Sequence, residues 1–271
     1  MLRSMAVSLT VLGSGSRGNC TLLTASRTKL LVDAGFSCRE VCRRLGAAGH
    51  DPGSIDAILI SHEHSDHVSA VDVLARKYKI PVYMTAGTHQ GWRRYMRDRM
   101  KASAKLPRLE TFAAGHKFQI GDISVMPFTT PHDAADPVGF TFHAEGIKVG
   151  IVTDLGYIPS SVVEHLRGCH GLMIESNHDL EMLRLGPYPW AVKQRVMSRT
   201  GHLSNESLAE FFINNYDGAA MFLILAHLSE QNNHPEVARR AAEQALGSRC
   251  GPLANRLMLA SQGEALESVR L

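Results

Sequence analysis

The chain has 271 residues, of which 44% are hydrophobic and 20% are charged, and this composition excludes an intrinsically disordered protein. Layered α/β folds commonly reach about 250 residues as one unit, so we predict a single domain over residues 1–271. The net charge of +3 is too small to indicate a nucleic-acid-binding protein by itself.

The sequence contains no membrane or secretion signal that we recognise. No apolar run approaches the roughly 18 residues of a membrane-spanning helix, and the N-terminal segment Met1–Thr10 lacks the long hydrophobic core of a signal peptide. The five cysteines form no CxxC pair, which predicts reduced thiols and excludes a disulfide framework or zinc ribbon. These features predict a cytoplasmic protein.

Hydrophobic periodicity and turn residues predict strands and helices along the whole chain. The first part predicts strands Val7–Leu12, Cys20–Thr24 and Lys29–Val32, helix Ser37–Leu45, strand Ala57–Ile60, helix Val68–Tyr78, strand Val82–Thr85 and helix Gly87–Ala102. The remainder predicts strands Ile123–Phe128, Val138–His143 and Lys148–Thr153, helix Ser160–Leu166, strand Leu172–Glu175, helices Pro189–Ser198 and Asn205–Asn214, strand Met221–Ala226, helix Pro235–Leu246, and a closing pair, Arg256–Leu259 and Ala265–Val269.

The strands fall into two blocks, each accompanied by helices. This order favours an α/β fold in which two layered sheets carry helices on their outer faces. A doubly wound dinucleotide-binding fold is disfavoured, because the GxGxxG string of residues 13–18 is followed by a predicted strand where a helix should begin.

A dense cluster of imidazole and carboxylate groups follows the buried strand Ala57–Ile60. His62, His64, Asp66 and His67 lie within six positions, and so many buried polar groups would be costly unless they were solvated or bound a cation. Imidazole suits zinc, iron and manganese, and the carboxylate neutralises charge. We therefore predict a metal site here; a merely solvated polar loop is the alternative.

These four residues spell HxHxDH, the signature of the metallo-β-lactamase superfamily, which the chain resembles. Within that superfamily the chain is most similar to the YycJ/WalJ group of bacterial nucleases, and the similarity covers nearly the whole sequence. It is carried by the strings at residues 13–20, 132–140, 153–157, 175–178, 201–205 and 227–233. The resemblance implies a four-layer αββα sandwich of the metallo-β-lactamase type.

The resemblance also implies a dinuclear metal centre, with zinc or manganese as the expected ions and iron as a further possibility. One metal would be bound by His62, His64 and His132, and the second by Asp66, His67 and His227, with Asp154 bridging the two. Taken singly, His132 or His227 would be an ordinary histidine, and the ordered series is what marks them as ligands. Asp66 is also implied to be catalytic.

The activity implied by the resemblance is a 5′-to-3′ DNA exonuclease that uses a metal-bound hydroxide. The residues themselves support a coarser statement, namely hydrolysis of a phosphodiester clamped between two metals. An enzyme acting on RNA ends or on a small cyclic phosphate with the same site is the alternative. A di-iron redox protein is disfavoured because the chain has no room for a flavin domain, and a degenerate binding module because all seven ligand positions carry usable side chains.

Two further histidines, His202 and His178, lie between Asp154 and His227 in sequence, where related nucleases carry extra histidines that contact the scissile phosphate or assist proton transfer. We expect His202, and then His178, to be catalytic. The alternative for His202 is a position beside the N-terminus of a helix capped by Ser204 or Asn205. Asp33 is expected either to brace the metal loop or to be a turn residue.

A basic segment interrupts an otherwise balanced charge distribution, and Asp98 is the one acidic residue within it. On a helix with Trp92 and Tyr95, it would bind DNA phosphates and stack a base, although a solvated helix face explains it equally well. Its members are Arg93, Arg94, Arg97, Arg99, Lys101 and Lys105.

Overall fold

The computed structural model describes residues 7–99, 105–247 and 256–271, and within them it contains two seven-stranded sheets. The first sheet has the order β14-β1-β2-β3-β4-β5-β6 and the second the order β13-β12-β11-β10-β9-β8-β7. The strands of the first sheet are β1 (Ser8–Gly13), β2 (Cys20–Thr24), β3 (Lys29–Val32), β4 (Ala57–Leu59), β5 (Val82–Thr85), β6 (Leu109–Phe112) and β14 (Val269–Arg270). Those of the second are β7 (Phe118–Ile120), β8 (Ile123–Thr129), β9 (Val138–Ala144), β10 (Ile147–Val152), β11 (Gly171–Glu175), β12 (Phe222–Ala226) and β13 (Leu257–Leu259).

Helices cover the outer face of each sheet. Those against the first sheet are α1 (Cys38–Ala47), α2 (Ser65–Val68), α3 (Val71–Tyr78) and α4 (Ala86–Arg99). Those that follow are α5 (Ser160–Leu166), α6 (Leu180–Leu185), α7 (Trp190–Val196), α8 (Asn205–Asn214) and α9 (Pro235–Leu246), of which α5, α8 and α9 pack on the second sheet. A short 3-10 helix, Pro52–Ser54, precedes β4.

The central strands of both sheets are buried on both faces, and their alternate residues enter different cores. In β3, Leu30 and Val32 point into the core between the two sheets, whereas Leu31 packs under the helices of the first sheet. In β12, Ile224 packs between the sheets and Leu225 packs under the outer helices. Helices, two sheets and helices thus form four layers, and the predicted αββα sandwich is confirmed.

Several details of the predicted elements were wrong. The helix predicted over Val68–Tyr78 is two helices, α2 and α3, because the chain turns at residues 69–70. Strands β6 and β7 and helix α6 were not predicted. The strands predicted as a closing pair lie in different sheets, since β13 pairs with β12 and β14 pairs with β1.

The cysteines that the structure describes, Cys20, Cys38, Cys42 and Cys169, are free thiols, as the sequence predicted, and Cys250 lies outside the described residues. Burial raises the pKa of Cys169 to about 11, so this thiol stays protonated and unreactive at neutral pH. No helix in the described ranges is long and apolar enough to cross a bilayer.

Candidate metal centre

Four polar residues of the centre follow strands that run parallel to their neighbours. Asp33 follows β3 and His62 follows β4, while Asp154 and His227 follow β10 and β12. Strands β3 and β4 pair in parallel in the first sheet, and β10, β11 and β12 do so in the second. The carboxyl ends of parallel strands meet at one edge of a sheet, so both sheets deliver their polar residues to one end of the sandwich.

Three of these residues have an unusual backbone conformation. The φ angles of Asp33, Asp154 and His227 are 62°, 61° and 56°, in the left-handed region that costs non-glycine residues free energy. Such strain persists only where neighbouring interactions impose it, and it concentrates at functional sites. One such interaction is the hydrogen bond that the His227 amide donates to Ser14 Oγ over 3.0 Å.

The histidine loop is attached to the loop after β3 through its backbone. The amides of Asn19 and Ala34 donate hydrogen bonds of 2.8 Å to the carbonyls of Asp66 and His67. Gly35 lies so close that a Cβ at this position would be 1.5 Å from the Asp66 carbonyl oxygen. The glycine therefore allows the approach that fixes Asp66 and His67 in place.

The seven predicted ligands come together at this edge. The side-chain donor atoms of His62, His64 and His132 lie within 4.8 Å of one another, which defines a first group. Those of Asp66, His67 and His227 form a second group by the same measure. Asp154 connects the two groups. Its carboxylate forms a further group with His62 of the first group and His67 of the second.

Hydrogen bonds on the far side of the rings fix how the imidazoles face the centre. His67 Nδ1 lies 2.9 Å from Asp33 Oδ2, and His132 Nδ1 lies 3.0 Å from the carbonyl oxygen of Gly201. These contacts leave the Nε2 atoms directed at the centre, which is how ligand histidines are oriented in metal sites. Asp33 also accepts hydrogen bonds from the amide and hydroxyl of Ser61, so of the two alternatives the contacts favour the one in which it braces the histidine loop.

Glu175 is a member of the site that the sequence reasoning missed. It is fully buried at the end of β11, and its Oε1 lies 2.8 Å from His202 Nδ1 and 3.0 Å from His227 Nδ1. Its Oε2 accepts hydrogen bonds from the amides of Leu155 and Leu203. Burial alone would raise its pKa, but the charges and hydrogen bonds of the two histidines lower the pKa to about 2. Glu175 begins the string at residues 175–178 that carries part of the resemblance, but that string gave the carboxylate no role.

The predicted catalytic histidines occupy different environments. His202 forms a further group of possible ligands with Asp154, Glu175 and His227. Its Nδ1 is bound to Glu175 and lies 3.6 Å from Asp154 Oδ1, and Ser204 caps α8 after it. His178 is 1% exposed, belongs to neither metal group, and has its Nδ1 3.3 Å from Asn177 Oδ1. Burial lowers the pKa of His178 to about 4, so this ring is neutral at physiological pH.

The buried carboxylates of the centre favour the binding of cations. Burial would raise the pKa of the Asp66 and Asp154 carboxyls, but neighbouring histidines, His67 above all for Asp66, hold both pKa values below the usual range. Burial would lower the pKa of His67 and His227, yet the carboxylates, with Asp154 the largest contributor, raise both. Protons on these rings therefore balance buried negative charge, which divalent ions would do more effectively.

Buried polar atoms without partners support the same assignment. His62 Nε2, His227 Nε2 and Asp154 Oδ2 are buried and have no hydrogen-bond partner. Unpaired buried polar atoms are costly, and here they belong to three of the predicted ligands. Imidazole nitrogens and carboxylate oxygens in groups of three are the donor set of zinc and manganese sites, so the residues fit two divalent metal ions.

A cavity of about 360 Å³ opens over the centre. Its lining includes Asp66, Asp154, His202 and His227. Among the described residues, Arg195 is the one arginine that lines the cavity, and no described lysine does. Arg195 forms a two-pronged ion pair with Asp133, which holds its guanidinium beside His132. An anionic group entering the cavity would therefore meet both the metal positions and a fixed cation.

The basic helix α4 borders a second cavity of about 630 Å³, which shares His64 and Ser65 with the first. Arg94 and Tyr95 line it, but so do Glu63 and Asp98. Trp92 is fully buried, so the predicted stacking of a base on it is wrong. Arg93 and Arg97 are exposed, nothing is described of the Arg99 side chain, and Lys101 lies outside the described residues.

Comparison with known proteins identifies the family. The family model for the β-lactamase superfamily domain matches residues 28–224. The chain is 37% identical over 242 residues to exodeoxyribonuclease YycJ of Bacillus anthracis, covering 89% of this chain and 90% of that protein. It is 38% identical over 228 residues to exodeoxyribonuclease WalJ of Streptococcus pneumoniae, covering 84% of each. The chain belongs to the metallo-β-lactamase superfamily and, within it, to the YycJ/WalJ group.

Solved structures of the metallo-β-lactamase superfamily share the fold over nearly the whole chain. YhfI of Bacillus subtilis superposes with a TM-score of 0.71 at 18% identity, covering 96% of this chain and 99% of that one. A diphosphatase of the PhnP family superposes with a TM-score of 0.66 at 17% identity, covering 98% of each chain. The family and fold inferred from the HxHxDH signature are therefore confirmed.

Proposed function

We propose that the protein is a metal-dependent phosphodiesterase that degrades DNA from the 5′ end. The observation that carries the proposal is the pair of donor groups joined by Asp154 at the floor of a cavity that Arg195 also lines. These residues would hold divalent ions, and such ions would supply an activated water and charge stabilisation for the entering and leaving oxygens of a phosphoryl group. Relatives named exodeoxyribonucleases, 37% and 38% identical over most of both chains, support DNA as the substrate.

We assign the ligands as the sequence reasoning did, with His62, His64 and His132 on one side, Asp66, His67 and His227 on the other, and Asp154 between. Asp66 lines the cavity, and we propose that one of its carboxylate oxygens also orients the attacking water. The single domain over residues 1–271 and the cytoplasmic location remain predictions of the same kind.

His202 is proposed to donate a proton to the leaving oxygen. Its Nδ1 is engaged by Glu175, which leaves Nε2 as the nitrogen available to a substrate in the cavity that His202 lines. Glu175 and Asp154 raise the pKa of His202 against the lowering effect of burial, so the ring holds its proton more tightly than a free imidazole does. A catalytic part for His178 would have to act through Asn177, which His178 contacts and which lines the cavity.

Arg195 is proposed to bind a non-bridging oxygen of the scissile phosphate. Its ion pair with Asp133 holds the guanidinium at the cavity wall before substrate enters, so little side-chain entropy is lost on binding. The exposed arginines Arg93 and Arg94 on α4 are proposed to attract the strand electrostatically rather than to stack its bases.

The test is a time course with a linear duplex labelled at the 5′ or the 3′ end, in manganese or zinc. We expect early release of the 5′ label as mononucleotide, and loss of that activity in Asp66→Ala and Asp154→Asn. Glu164→Gln, which removes an exposed carboxylate on α5, is the matched control and should retain full activity.

Early release of the 3′ label would overturn the polarity. If the protein leaves DNA intact but cleaves bis(p-nitrophenyl) phosphate, the substrate is instead an RNA end or a small cyclic phosphate. Unchanged turnover in both aspartate variants would exclude the two-metal assignment.

A further inference from the structure

Helices α6 and α7 and the residues that join them, 179–199, form one wall of the metal cavity, and we call this segment the α6–α7 wall. Four of its side chains line the cavity, namely Tyr188, Val192, Arg195 and Val196. The wall therefore continues directly from the reacting centre to the protein surface.

The wall carries large apolar side chains that face solvent. Leu185 is 80% exposed, Trp190 62% and Val192 37%, and these are three of the seven exposed large hydrophobic residues in the described part of the chain. Solvent-exposed apolar residues clustered beside a cavity mark a binding surface, because leaving a tryptophan in water forgoes the free energy of burying its ring. Trp190 stands at the first position of α7, next to the cavity-lining Tyr188 and Val192.

The charge of the same segment indicates the kind of partner. Residues 179–199 contain four basic side chains, Arg184, Lys193, Arg195 and Arg199, and two acidic side chains, Asp179 and Glu181. Arg184 and Arg199 are exposed, and the Arg199 guanidinium lies 4.2 Å from the centroid of the Tyr157 ring. An exposed tryptophan in a segment that also carries exposed arginines suits a polyanion with flat rings, which describes single-stranded nucleic acid.

The second cavity, beside α4, satisfies these requirements less well. Its one arginine, Arg94, is opposed by Glu63 and Asp98, and the tryptophan of that helix, Trp92, is fully buried. The exposed tryptophan of the described chain is Trp190, on the wall of the metal cavity.

We propose that Trp190 is a stacking platform for a nucleobase of a single-stranded nucleic-acid end, which runs along the α6–α7 wall into the metal cavity. The proposal rests on the proposed nuclease function and adds the place where the strand is held. A base stacked on Trp190 would position the chain while Arg195 meets a phosphate deeper in the cavity.

The test measures binding of a phosphorothioate-linked oligothymidine, which resists hydrolysis, to the metal-loaded protein. Trp190→Ala should weaken binding about tenfold, and Trp190→Phe should restore most of it, because phenylalanine keeps a ring for stacking. The matched control is Ile213→Ala, which removes an apolar side chain 58% exposed on α8 and should change nothing.

Two further measurements make the test specific to stacking. Abasic residues placed one at a time along the oligonucleotide should, at one position, abolish the difference between wild type and Trp190→Ala. The chain has two tryptophans, and since Trp92 is buried, oligonucleotide should quench the emission of wild type but not of Trp190→Phe.

Equal affinity of wild type and Trp190→Ala would overturn the proposal, as would quenching that persists in Trp190→Phe. A wild-type dimer that Trp190→Ala converts to monomer would assign the surface to a second copy of the chain and would overturn it too. Hydrolysis of bis(p-nitrophenyl) phosphate, which has no nucleobase, serves as the control for folding and metal loading of every variant. A protein that hydrolyses this ester but neither binds nor degrades any oligonucleotide would instead refute the proposed nuclease function.

Discussion

At the scale of single residues, Glu175 connects a proposed metal ligand, His227, with the proposed proton donor, His202. One carboxylate oxygen contacts both the proposed ligand His227 and the proposed proton donor His202, at 3.0 Å and 2.8 Å. The other oxygen is held by two backbone amides, so the group cannot rotate away. A single buried side chain therefore fixes which nitrogen of each ring faces the cavity.

Replacing Glu175 by glutamine should lower kcat by roughly 10–100-fold, the range found when a partner of a metal ligand is lost. The amide keeps the shape of the carboxylate but loses the negative charge and presents one acceptor oxygen instead of two. We would measure steady-state hydrolysis of bis(p-nitrophenyl) phosphate and the bound metal by elemental analysis. Wild-type kcat with normal metal content would contradict a positioning role, and Glu164→Gln serves as the control.

Sequence reasoning located the proposed metal ligands because the HxHxDH motif and its ordered successors are local patterns. It noted the string at residues 175–178 but gave Glu175 no role, because the contacts of this residue depend on β11 lying beside β12. It also placed Trp92 on the exposed face of helix α4, although the spacing of apolar residues in that helix predicts that Trp92 is buried. Thr88, Trp92 and Met96 recur every four residues and are all buried, which is the inner face of a helix.

At the scale of elements, α1 is fastened to the end of the first sheet by charged groups. Arg44 donates hydrogen bonds to the carbonyls of Leu12 and Gln262, and Glu40 accepts from Arg43 and Arg44. Hydrogen bonds from these two arginines, that from Arg43 the largest, lower the pKa of Glu40 to about 2. A lowered pKa means that the ionised form is stabilised by folding.

The pH dependence of stability follows from that shift. The pKa of Glu40 falls from 4.5 to about 2 on folding, so its contribution is complete above pH 4.5 and is lost as the pH falls through 2. Because the group is partly exposed, we expect Glu40→Gln to cost at most about 1 kcal/mol near pH 7. Urea unfolding at pH 7, 4 and 2 should show this difference between wild type and variant shrinking towards zero. A difference that stays constant down to pH 2 would contradict the ion pair as its source.

Regular elements with clear periodicity were predicted well, and short or non-local ones were not. The break between α2 and α3 follows from the docking of the histidine loop on residues 33–35, a tertiary contact. Helix α6 has six residues, β6 has four and β7 has three, too few for a period to show. The two last strands join different sheets because each pairs with a partner distant in sequence.

At the scale of the whole molecule, the proposed metal centre joins the two halves of the sandwich. His62, His64, Asp66 and His67 follow β4 of the first sheet, whereas His132, Asp154 and His227 follow strands of the second. Each proposed metal would thus take ligands from both sheets. Metal binding should consequently stabilise the packing of one sheet on the other, in addition to neutralising the buried carboxylates.

Removal of metal should therefore lower the melting temperature of the whole protein. A cation present at 100 times its dissociation constant stabilises the folded state by about 2.7 kcal/mol. For a chain of this size we expect a shift of roughly 5–10 °C. We would compare thermal unfolding in EDTA with unfolding after manganese or zinc is restored. Asp154→Asn should lose most of the shift, since the carboxylate proposed to bridge the ions lies near residues of both groups, whereas Glu164→Gln should keep it. Identical melting temperatures with and without metal would show that the centre does not link the sheets, because a bridge between the two halves must stabilise them together.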